Sequence, residues 1–510
     1  MSEPLRCVSP TTLIAGYDFS TGGVKALAFD LNGATVAEVR LPTDLWTEGG
    51  VSELNLMQLE GQAYSSTRLL SASLREKGRL QDWQAAGISA THHSAGRIDE
   101  QGNQVRRAIC WNDQTLAKYH AEGLKRLGDQ VRAKELTGGP WAVRYSLSHL
   151  IKDEATLNPV DWERTRWMLP HGPLAAGYLT GRFDCTSVSS AASTGLLDLR
   201  TNRWRMEMLN SLADPRYREL AWKTLPQIVD MNEPVGPLAE HVALNAGLQE
   251  KVRPWVFPTL DDQAAGLIGG GAVDAGQVAV ILGNSAVVNS SSNELPRSGT
   301  LDSMKLNWGP YLWMRCYSNG AQFLDRIAGN KPDWPSLESQ ARSVKPLCQG
   351  TAVLPFALAE PSIGINSPLV RWYPHEPLEM GTRIRAGFEA ISYLIALGVR
   401  EHELAGQSIT RITVSGGIAR SDLMCQVLAS VLNRPLHRLV SSEGPALGAA
   451  VVALAGMEMF LRKRSAIELP YSAADAVTTL VKFRDIVEPR VDWVESYRGG
   501  LAEFELQLKA

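Results

Sequence analysis

Two turns between apolar, strand-like segments carry small and hydroxyl-bearing residues that could bind phosphate. The first turn, residues 20–23 (STGG), lies between the segments 13–19 and 24–30, and the second, residues 283–285 (GNS), lies between similar segments. Backbone N–H groups at such a tip can hold phosphate oxygens, because glycine permits close approach and hydroxyls add donors. Two such units in one chain favour a duplicated architecture with a phosphate-binding function.

A third segment, residues 412–436, joins a predicted strand, a paired-glycine turn and an amphipathic helix. Gly416 and Gly417 let the backbone turn tightly against a flat ligand. Ser421 is a candidate N-cap, and Asp422 places a carboxylate in the first helical turn. An isolated strand-to-helix connection would have the same pattern, but together with the two phosphate-type turns the segment favours a nucleotide site.

Carboxylates and imidazoles supply candidates for proton transfer and metal binding. Asp18 closes the first apolar segment beside the STGG turn. It could hold Mg²⁺ through water, since magnesium prefers oxygen ligands and retains water, but it could also simply form the turn. Asp261 and Asp262 form an acidic pair that, in isolation, is typical of a solvated helix N-terminus. His92 and His93 could donate and accept hydrogen bonds at a polyol; a zinc site would need a third ligand, and the sequence offers none at suitable spacing.

Composition excludes several classes of protein. A chain of 510 residues with 44% hydrophobic and 21% charged residues can bury large cores and is expected to form two or more domains. The net charge of −3 gives no reason to expect nucleic acid or an anionic membrane as a partner. Six scattered cysteines without a C-x-x-C pair favour a reducing cytoplasm over a zinc or disulfide framework. No signal-peptide core is present, and the uncharged run 444–457 predicts a buried helix.

The elements that must position these residues are predicted to form two halves. No P-loop sequence occurs, and the glycines 269–271 are predicted to end a helix. A boundary is predicted between Pro254 and Gln277, where prolines and this glycine-rich turn interrupt regular structure. The two halves would then flank a cleft.

These pieces, in this order, resemble the FGGY carbohydrate kinases, and the similarity runs through residues 13–457. Further matching segments are 87–99 (GISATHHSAGRID), 108–114 (AICWNDQ), 179–204 (LTGRFDCTSVSSAASTGLLDLRTNRW), 260–266 (LDDQAAG) and 442–450 (SEGPALGAA). The resemblance implies an α/β fold of two actin-like (ribonuclease H-like) domains flanking a cleft. It also implies a sugar-binding domain over residues 1–264 and a nucleotide-binding domain over residues 265–510.

Within that family, the chain looks most like the xylulokinase branch. Residues 91–94 (THHS) stand at the place of the branch's Gln-Met-His-Gly sugar motif, and residues 111–113 match its Trp-Asn-Asp motif. The departures are Thr91, His92 and Ser94 within the sugar motif, Thr115 where arginine is usual, and Asn284 where threonine is usual. They concern contacts to the substrates, whereas the aspartates of phosphoryl transfer are kept.

The resemblance implies roles for the residues introduced above. Asp262 matches the catalytic aspartate that accepts the sugar hydroxyl proton, and Asp18 matches a metal or transition-state residue. The implied sugar-binding residues are His92, His93, Trp111, Asp113 and Asp262; the implied ATP-binding residues are Ser20, Thr21, Gly22, Lys25, Gly283, Asn284, Ser285, Gly416, Gly417 and Ser421, with Gly448 also expected to admit adenosine. Lys25 could alternatively be an exposed strand residue, and Trp111 with Asp113 could be a core tryptophan with a capping aspartate.

The predicted function is an ATP- and Mg²⁺-dependent kinase that converts D-xylulose to D-xylulose 5-phosphate. The alternatives are a kinase of another ketopentose or polyol, such as ribulose, ribitol or a glycerol-like compound, and a catalytically silent sugar or nucleotide sensor. Retention of Asp18 and Asp262 argues against the sensor. The expected partners are the sugar and ATP, without nucleic acid or membrane; the expected location is the cytoplasm, and the family suggests a possible homodimer.

Overall fold

A computed structural model describes residues 6–248, 253–329, 331–441 and 443–509 of the chain. Ser442, the first residue of the SEGPALGAA segment, lies outside the described residues. The strands are β1 Leu13–Phe19, β2 Gly23–Phe29, β3 Thr35–Pro42, β4 Trp46–Glu48, β5 Val51–Leu54, β6 Trp83–Ala90, β7 Ala95–Ile98, β8 Gln104–Ile109, β9 Trp167–Pro170, β10 Cys185–Ser187, β11 Leu197–Asp198, β12 Arg203–Trp204, β13 Gln227–Val229, β14 Gly236–Pro237, β15 Trp255–Val256, β16 Leu260–Asp261, β17 Gln277–Leu282, β18 Ala286–Ser292, β19 Asp302–Lys305, β20 Tyr311–Tyr317, β21 Ala352–Phe356, β22 Leu369–Tyr373, β23 Arg411–Ser415, β24 Leu436–Leu439 and β25 Phe483–Val487.

The α-helices are α1 Leu56–Glu76, α2 Leu116–Leu127, α3 Gln130–Thr137, α4 Ser146–Thr156, α5 Pro159–Arg164, α6 His171–Thr180, α7 Val188–Ala192, α8 Pro215–Lys223, α9 Glu240–Asn245, α10 Asp262–Gly269, α11 Ala321–Ala328, α12 Trp334–Ser343, α13 Met380–Leu404, α14 Asp422–Leu432, α15 Gly444–Arg464, α16 Ala473–Leu480 and α17 Val491–Lys509. Short 3₁₀ helices cover Leu80–Asp82, Met206–Ser211, Pro346–Gly350, Pro361–Ile363 and Ile418–Arg420.

The first large sheet has the strand order β14-β15-β6-β1-β2-β3, and β16 also pairs with β6. Strand β1 is buried along its whole length, as expected for an apolar strand covered on both faces, whereas β3 is largely exposed. β1 and β2 are antiparallel, while β6 runs parallel to both β1 and β16. The carboxyl ends of β1, β6 and β16 therefore meet at one edge of the sheet.

The second large sheet repeats this arrangement, with the order β19-β20-β18-β17-β23-β24-β25. Strands β17 and β18 form an antiparallel hairpin, and β23 runs parallel to β17. The trio β17, β18 and β23 thus repeats the trio β1, β2 and β6. The duplicated architecture predicted from the two phosphate-type turns is confirmed.

Two helices fill the space between the large sheets. Helices α10 and α15 pack against each other, and α15 also packs on β1 and β6. One apolar core includes Ile14 of the first sheet, Leu267 of α10 and Val287 of the second sheet. A Cβ atom on Gly448 would lie 1.9 Å from the carbonyl oxygen of Ala265, so only glycine permits this approach. Gly448 is therefore buried in the helix contact, and the expectation that it admits adenosine is wrong.

Helix α15 is the described helix whose length and composition would allow it to cross a membrane. Inside the protein 78% of its apolar window is buried, so the buried helix predicted from the uncharged run is confirmed. The helix end predicted at the glycines is also found, since Gly270 caps α10. The proposed division between residues 264 and 265 falls inside α10, so this helix belongs to the core of both halves.

Candidate active site

The carboxyl edge of the first sheet gathers the candidate sugar and transfer residues. Ser89 of β6 lies opposite Asp18 of β1 on one side and Leu260 of β16 on the other. Asp261 ends β16, Asp262 begins α10, and the histidine pair follows β6. These residues converge because parallel strands present their carboxyl ends at the same edge, where ligands of α/β sheets bind.

Asp18 is buried and held by its neighbour on β6. The Ser89 hydroxyl donates a hydrogen bond to Asp18 Oδ1 at 3.1 Å. Burial raises the pKa of Asp18 to about 6, although the nearby Lys25 charge acts in the opposite direction. Burying a carboxylate favours its neutral form unless a positive charge compensates, so this site favours a cation beside Asp18.

Asp261 is bound within the protein. It is the N-cap of α10, where its Oδ1 accepts from the backbone N–H groups of Gln263 and Ala264 at 3.0 and 2.9 Å. Its Oδ2 accepts from the Ser189 hydroxyl at 2.6 Å. Both oxygens are thus engaged in positioning the helix, and the acidic pair is not the solvated helix N-terminus that it would be in isolation.

Asp262 lies one residue further along and accepts a long hydrogen bond, 3.3 Å, from the Gln263 side chain. Burial raises the pKa of Asp262 well above its usual range, and the charges of Asp261 and Asp18 raise it further. A carboxylate with a raised pKa is a stronger base, which suits a group that must accept a hydroxyl proton.

The two histidines are buried, neutral and stacked. Their ring centroids lie 3.6 Å apart, and the rings of His93 and Tyr145 stack at 4.4 Å. His93 Nδ1 donates to the carbonyl oxygen of Ser193 at 2.8 Å, so its Nε2 is the acceptor of the ring. Burial lowers the pKa of both imidazoles. The Nε2 atoms of His92 and His93 are buried and have no hydrogen-bond partner within the part of the chain that the structure describes, so both can bind a polar group of a ligand.

The fold brings carboxylates to this histidine pair. His92, Asp261 and Asp262 offer ligand atoms that all lie within 4.8 Å of one another, with His92 Nδ1 3.8 Å from Asp261 Oδ1. The sequence spacing offered no third metal ligand, so this proximity corrects that expectation. Because both oxygens of Asp261 already accept hydrogen bonds, the cluster suits a polyol better than a metal ion.

Trp111 and Asp113 differ in their surroundings. Trp111 is 46% exposed, so it is not the core tryptophan that the alternative proposed. Asp113 is buried and accepts from Lys152 Nζ and the Thr115 backbone, both at 2.8 Å. Burial alone would raise the pKa of Asp113, but these hydrogen bonds lower it. Among the described residues, neither Trp111 nor Asp113 has a hydrogen bond or ring contact to His92 or His93.

The STGG turn joins β1 to β2 directly beside Asp18. The Ser20 hydroxyl donates to the carbonyl oxygen of Gly23 at 2.8 Å, which stabilises the turn. Gly22 faces open space, and Thr21 is half-buried. Lys25 Nζ lies 2.6 Å from Glu443, immediately before α15. This ion pair connects the first phosphate-type turn to the segment that enters the helix between the sheets.

The two turns of the second half lie side by side. Strands β17 and β23 are parallel, with Ile281 opposite Ser415, so the turns 283–285 and 416–417 follow at the same sheet edge. Gly416 has φ +94°, and a Cβ atom there would lie 2.4 Å from the carbonyl oxygen of Leu282. Gly417 is exposed and faces open space. The exposed Asn284 and half-buried Gly283 and Ser285 thus lie at the same sheet edge as the glycine pair.

The N-cap predicted at Ser421 is present. Its hydroxyl accepts from the backbone N–H of Met424 at 3.0 Å, which starts α14. The first-turn carboxylate, Asp422, pairs with Arg438 of β24. Ser421 therefore has a clear structural role, and it lies close in sequence to the glycine pair at 416–417.

Comparison with known proteins decides the family. The sequence model of the N-terminal domain of the FGGY family of carbohydrate kinases matches residues 13–269, and that of the C-terminal domain matches residues 330–457. The chain belongs to the FGGY family of carbohydrate kinases. As a member of this family it is an ATP-dependent sugar phosphotransferase, which confirms the enzyme class predicted from the motifs.

Similar full-length proteins agree with this assignment. The FGGY kinase is 26% identical to a xylulose kinase of Bacillus subtilis over 478 residues, covering 88% of this chain and 89% of the relative. It is equally 26% identical to a glycerol kinase of Geobacter sp. over 476 residues, covering 86% and 89%. The solved structure of a xylulose kinase from Rhodospirillum rubrum superposes with a TM-score of 0.82 at 20% identity, covering 97% of this chain and 98% of the other. The α/β fold with two actin-like domains is therefore confirmed.

Sequence reasoning missed several residues of this FGGY kinase that contact the predicted site. Tyr145 stacks on His93, Ser189 holds Asp261, and Asn289 Nδ2 donates to the Gln263 side chain at 3.1 Å. Ser189 lies in a segment that matches the family, yet nothing in its spacing indicated a partner 72 residues away. Tyr145 belongs to no motif, so only the packing shows its place.

Proposed function

We propose that this FGGY kinase phosphorylates the terminal hydroxyl of D-xylulose, producing D-xylulose 5-phosphate. The main support is the histidine pair, whose buried Nε2 atoms have no hydrogen-bond partner among the described residues, and of which His92 lies beside Asp262. Sugar hydroxyls can both donate and accept hydrogen bonds, so they would supply hydrogen-bond partners for both imidazoles. The xylulose kinases among the relatives also support this substrate.

In the proposed reaction, Asp262 accepts the proton of the terminal hydroxyl as its oxygen attacks the γ-phosphorus of ATP. The bond between the γ-phosphorus and its bridging oxygen breaks, and ADP leaves. The turns at Ser20–Gly22 and Gly283–Ser285 would hold the phosphate oxygens through the N–H groups at their tips, while those of Ser20 and Gly283 donate within the turns. Gly416, Gly417 and Ser421 would lie beside the nucleoside. Lys25 would reach a phosphate by exchanging its pairing with Glu443.

Mg²⁺ is the metal that the residues fit best. The Ser89 hydrogen bond uses one oxygen of Asp18, and burial raises the pKa of Asp18 although the Lys25 charge acts against this. A hydrated Mg²⁺ held by Asp18 would neutralise charge on the transferring phosphoryl group. Its presence also favours the ionised form of Asp18.

A panel of sugars tests the substrate. ADP release would be measured with D-xylulose, D-ribulose, ribitol, xylitol and glycerol at saturating ATP and Mg²⁺. D-xylulose is expected to have the highest kcat/KM. The proposal fails if another compound exceeds D-xylulose by about tenfold, a difference equivalent to 1.4 kcal/mol of transition-state binding.

Another ketopentose or polyol is the second candidate, and it has its own support. His92 stands where the xylulokinase branch carries methionine, and the glycerol kinase relative has the same 26% identity as the xylulose kinase. A hydrogen-bonding group in place of an apolar one changes which hydroxyl pattern the pocket accepts. A cytoplasmic location and a homodimer also remain proposals.

A further inference from the structure

A cavity of about 470 Å³ lies in the second half of the molecule, bordered by α13, the hairpin β21–β22 and the last described helix, α17. None of the proposed sugar or ATP residues lines it. Its volume falls in the range of small-molecule sites. The exposed lining residues Gly350 and Glu503 place its mouth at the surface.

Two buried polar atoms on the cavity wall have no hydrogen-bond partner in the described part of the chain. The Tyr393 hydroxyl and Gln507 Oε1 make no hydrogen bond within the described ranges, although these residues are only 4% and 9% exposed. Gly500 also lines the cavity, and a Cβ atom there would lie 2.2 Å from the Tyr393 hydroxyl oxygen. The glycine therefore leaves room for the hydroxyl. Because buried polar groups are nearly always hydrogen-bonded, these two atoms point to a ligand that supplies their partners.

The charge of the wall selects the kind of ligand. Glu389 and Glu503 line the cavity, and none of the lining residues is a lysine, arginine or histidine. Glu389 is already compensated, since Arg385 Nε donates to it at 3.0 Å. Glu503 accepts from Gln507 Nε2 at 3.2 Å and has no ion pair among the described residues. The mouth therefore carries an exposed carboxylate, which is hydrogen-bonded to the side chain whose Oε1 has no partner among the described residues.

The rest of the wall is apolar and aromatic. The wall contains the rings of Tyr373, Tyr393 and Phe504. It also contains two residues of α13 with small side chains, Ala386 and Ala390. Aromatic faces attract cations and pack against flat apolar groups. Rings, acceptors and a free carboxylate together match a positively charged amine on an apolar body.

We propose that this cavity is a ligand site for a small organic cation that carries an amine on an aromatic or aliphatic body. The ammonium group donates to Gln507 Oε1 and the Glu503 carboxylate. The body packs against Phe504 and Tyr373, and the Tyr393 hydroxyl pairs with a polar group of the ligand or with water held by it. The site is independent of the proposed sugar.

Three probes of one shape test the charge preference. Benzylamine, benzyl alcohol and benzoate would be titrated into the full-length protein by calorimetry at pH 7, with the kinase cleft filled by D-xylulose and a non-hydrolysable ATP analogue. Benzylamine is expected to bind about tenfold or more tightly than benzoate, since only the cation pairs with Glu503. Equal binding of all three probes, or no saturable binding at millimolar concentration, overturns the proposal.

Matched variants locate the binding. Gly499 lines the cavity on α17 and a Cβ atom there meets open space, so Gly499→Trp is expected to fill the cavity and abolish benzylamine binding. Gly61 of α1 is also a helical glycine facing open space, and Gly61→Trp is the control that should leave binding unchanged. If Gly499→Trp binds benzylamine like the wild type, the cavity is not the site.

Two conservative variants test the polar contacts without filling the cavity. Glu503→Gln is expected to weaken benzylamine about tenfold and to leave benzyl alcohol unchanged, because only the charge pair is lost. Tyr393→Phe is expected to keep the thermal stability, since the Tyr393 hydroxyl has no hydrogen-bond partner among the residues that the structure describes. A Glu503→Gln variant that weakens both probes equally contradicts the proposed position of the ammonium group.

Discussion

Asp302 of β19 accepts a hydrogen bond from the Tyr145 hydroxyl at 3.5 Å, and it also pairs with Arg144. The ring of Tyr145 stacks on His93, which stacks on His92. The second half of the molecule therefore holds one wall of the proposed sugar pocket, which lies mainly on the first half. Closure of the two halves and sugar binding are expected to depend on each other for this reason.

Asp302→Asn is expected to raise the KM for the sugar about fivefold, with a smaller effect on kcat and none on the KM for ATP. The amide keeps the shape but loses the charge that holds Arg144 and Tyr145, an interaction of about 1 kcal/mol. Glu401→Gln is the control, because Glu401 pairs with Arg315 within the second half. Equal effects of the two variants on sugar KM would mean that the cross-cleft contact has no special role. Closure of the two halves is expected to reduce the radius of gyration of the wild type. Small-angle scattering with sugar and an ATP analogue measures this change.

Asp262→Asn is expected to keep the fold and nucleotide binding while kcat falls by about 10² to 10⁴, the usual contribution of a general base. The amide cannot accept the hydroxyl proton. Asp261→Asn is expected to have a much milder effect, because an amide oxygen can still accept the N-cap hydrogen bonds from Gln263 and Ala264. Turnover of Asp262→Asn within about threefold of wild type would exclude it as the base.

The pH profile of kcat/KM tests the electrostatic role of Asp261. Asp262 must be ionised to accept a proton, and its pKa is raised by burial and by its neighbours. Activity should therefore fall, as pH decreases, at a higher pH than an ordinary aspartate would give. Asp261→Asn removes one neighbouring charge, so the acid limb should move to lower pH, whereas Asp302→Asn should leave it in place. An acid limb unmoved by Asp261→Asn would show that Asp262 does not control it.

His93→Ala is expected to weaken sugar binding by about 1 to 3 kcal/mol, since sugar hydroxyls lose a hydrogen-bond partner in a buried site. ATP binding is expected to stay unchanged. His92→Met is expected to shift the preference among ketopentoses and polyols without abolishing turnover. Specificity constants across the sugar panel are the measurement. Unchanged ratios in His92→Met together with unchanged sugar affinity in His93→Ala would place the sugar pocket elsewhere.

The two glycines of the second half should respond differently to valine. Gly417 has φ −61° and faces open space, so Gly417→Val is expected to keep the thermal stability. The valine side chain is expected to weaken ATP binding about tenfold by occupying that space. Gly416→Val is expected to destabilise the protein, because its positive φ and its contact with Leu282 exclude a side chain. Calorimetric titration of ATP and sugar separates the effects. Equal losses of both ligands in Gly417→Val would indicate misfolding instead of a local contact.

Several features could be predicted because their causes lie within a few residues. The strands and turns around Ser20 and Gly283 follow from apolar runs interrupted by small residues, and the N-cap at Ser421 follows from a hydroxyl before an amphipathic helix. The buried helix α15 follows from its uncharged sequence. The order of these local patterns along the chain also identified the family, and the family implied the fold and the kinase class.

The tertiary structure alone decided which side chains meet. Tyr145 reaches Asp302 across 157 positions, Ser189 reaches Asp261 across 72, and Gly448 serves a contact between helices. Spacing along the chain contains no information about such pairs, because they are set by how strands and helices pack. The sequence by itself therefore determined the local elements, the family and the candidate aspartates and histidines. Packing determined that Asp261 caps a helix beside Asp262, that the histidines stack, and that the second half completes their wall.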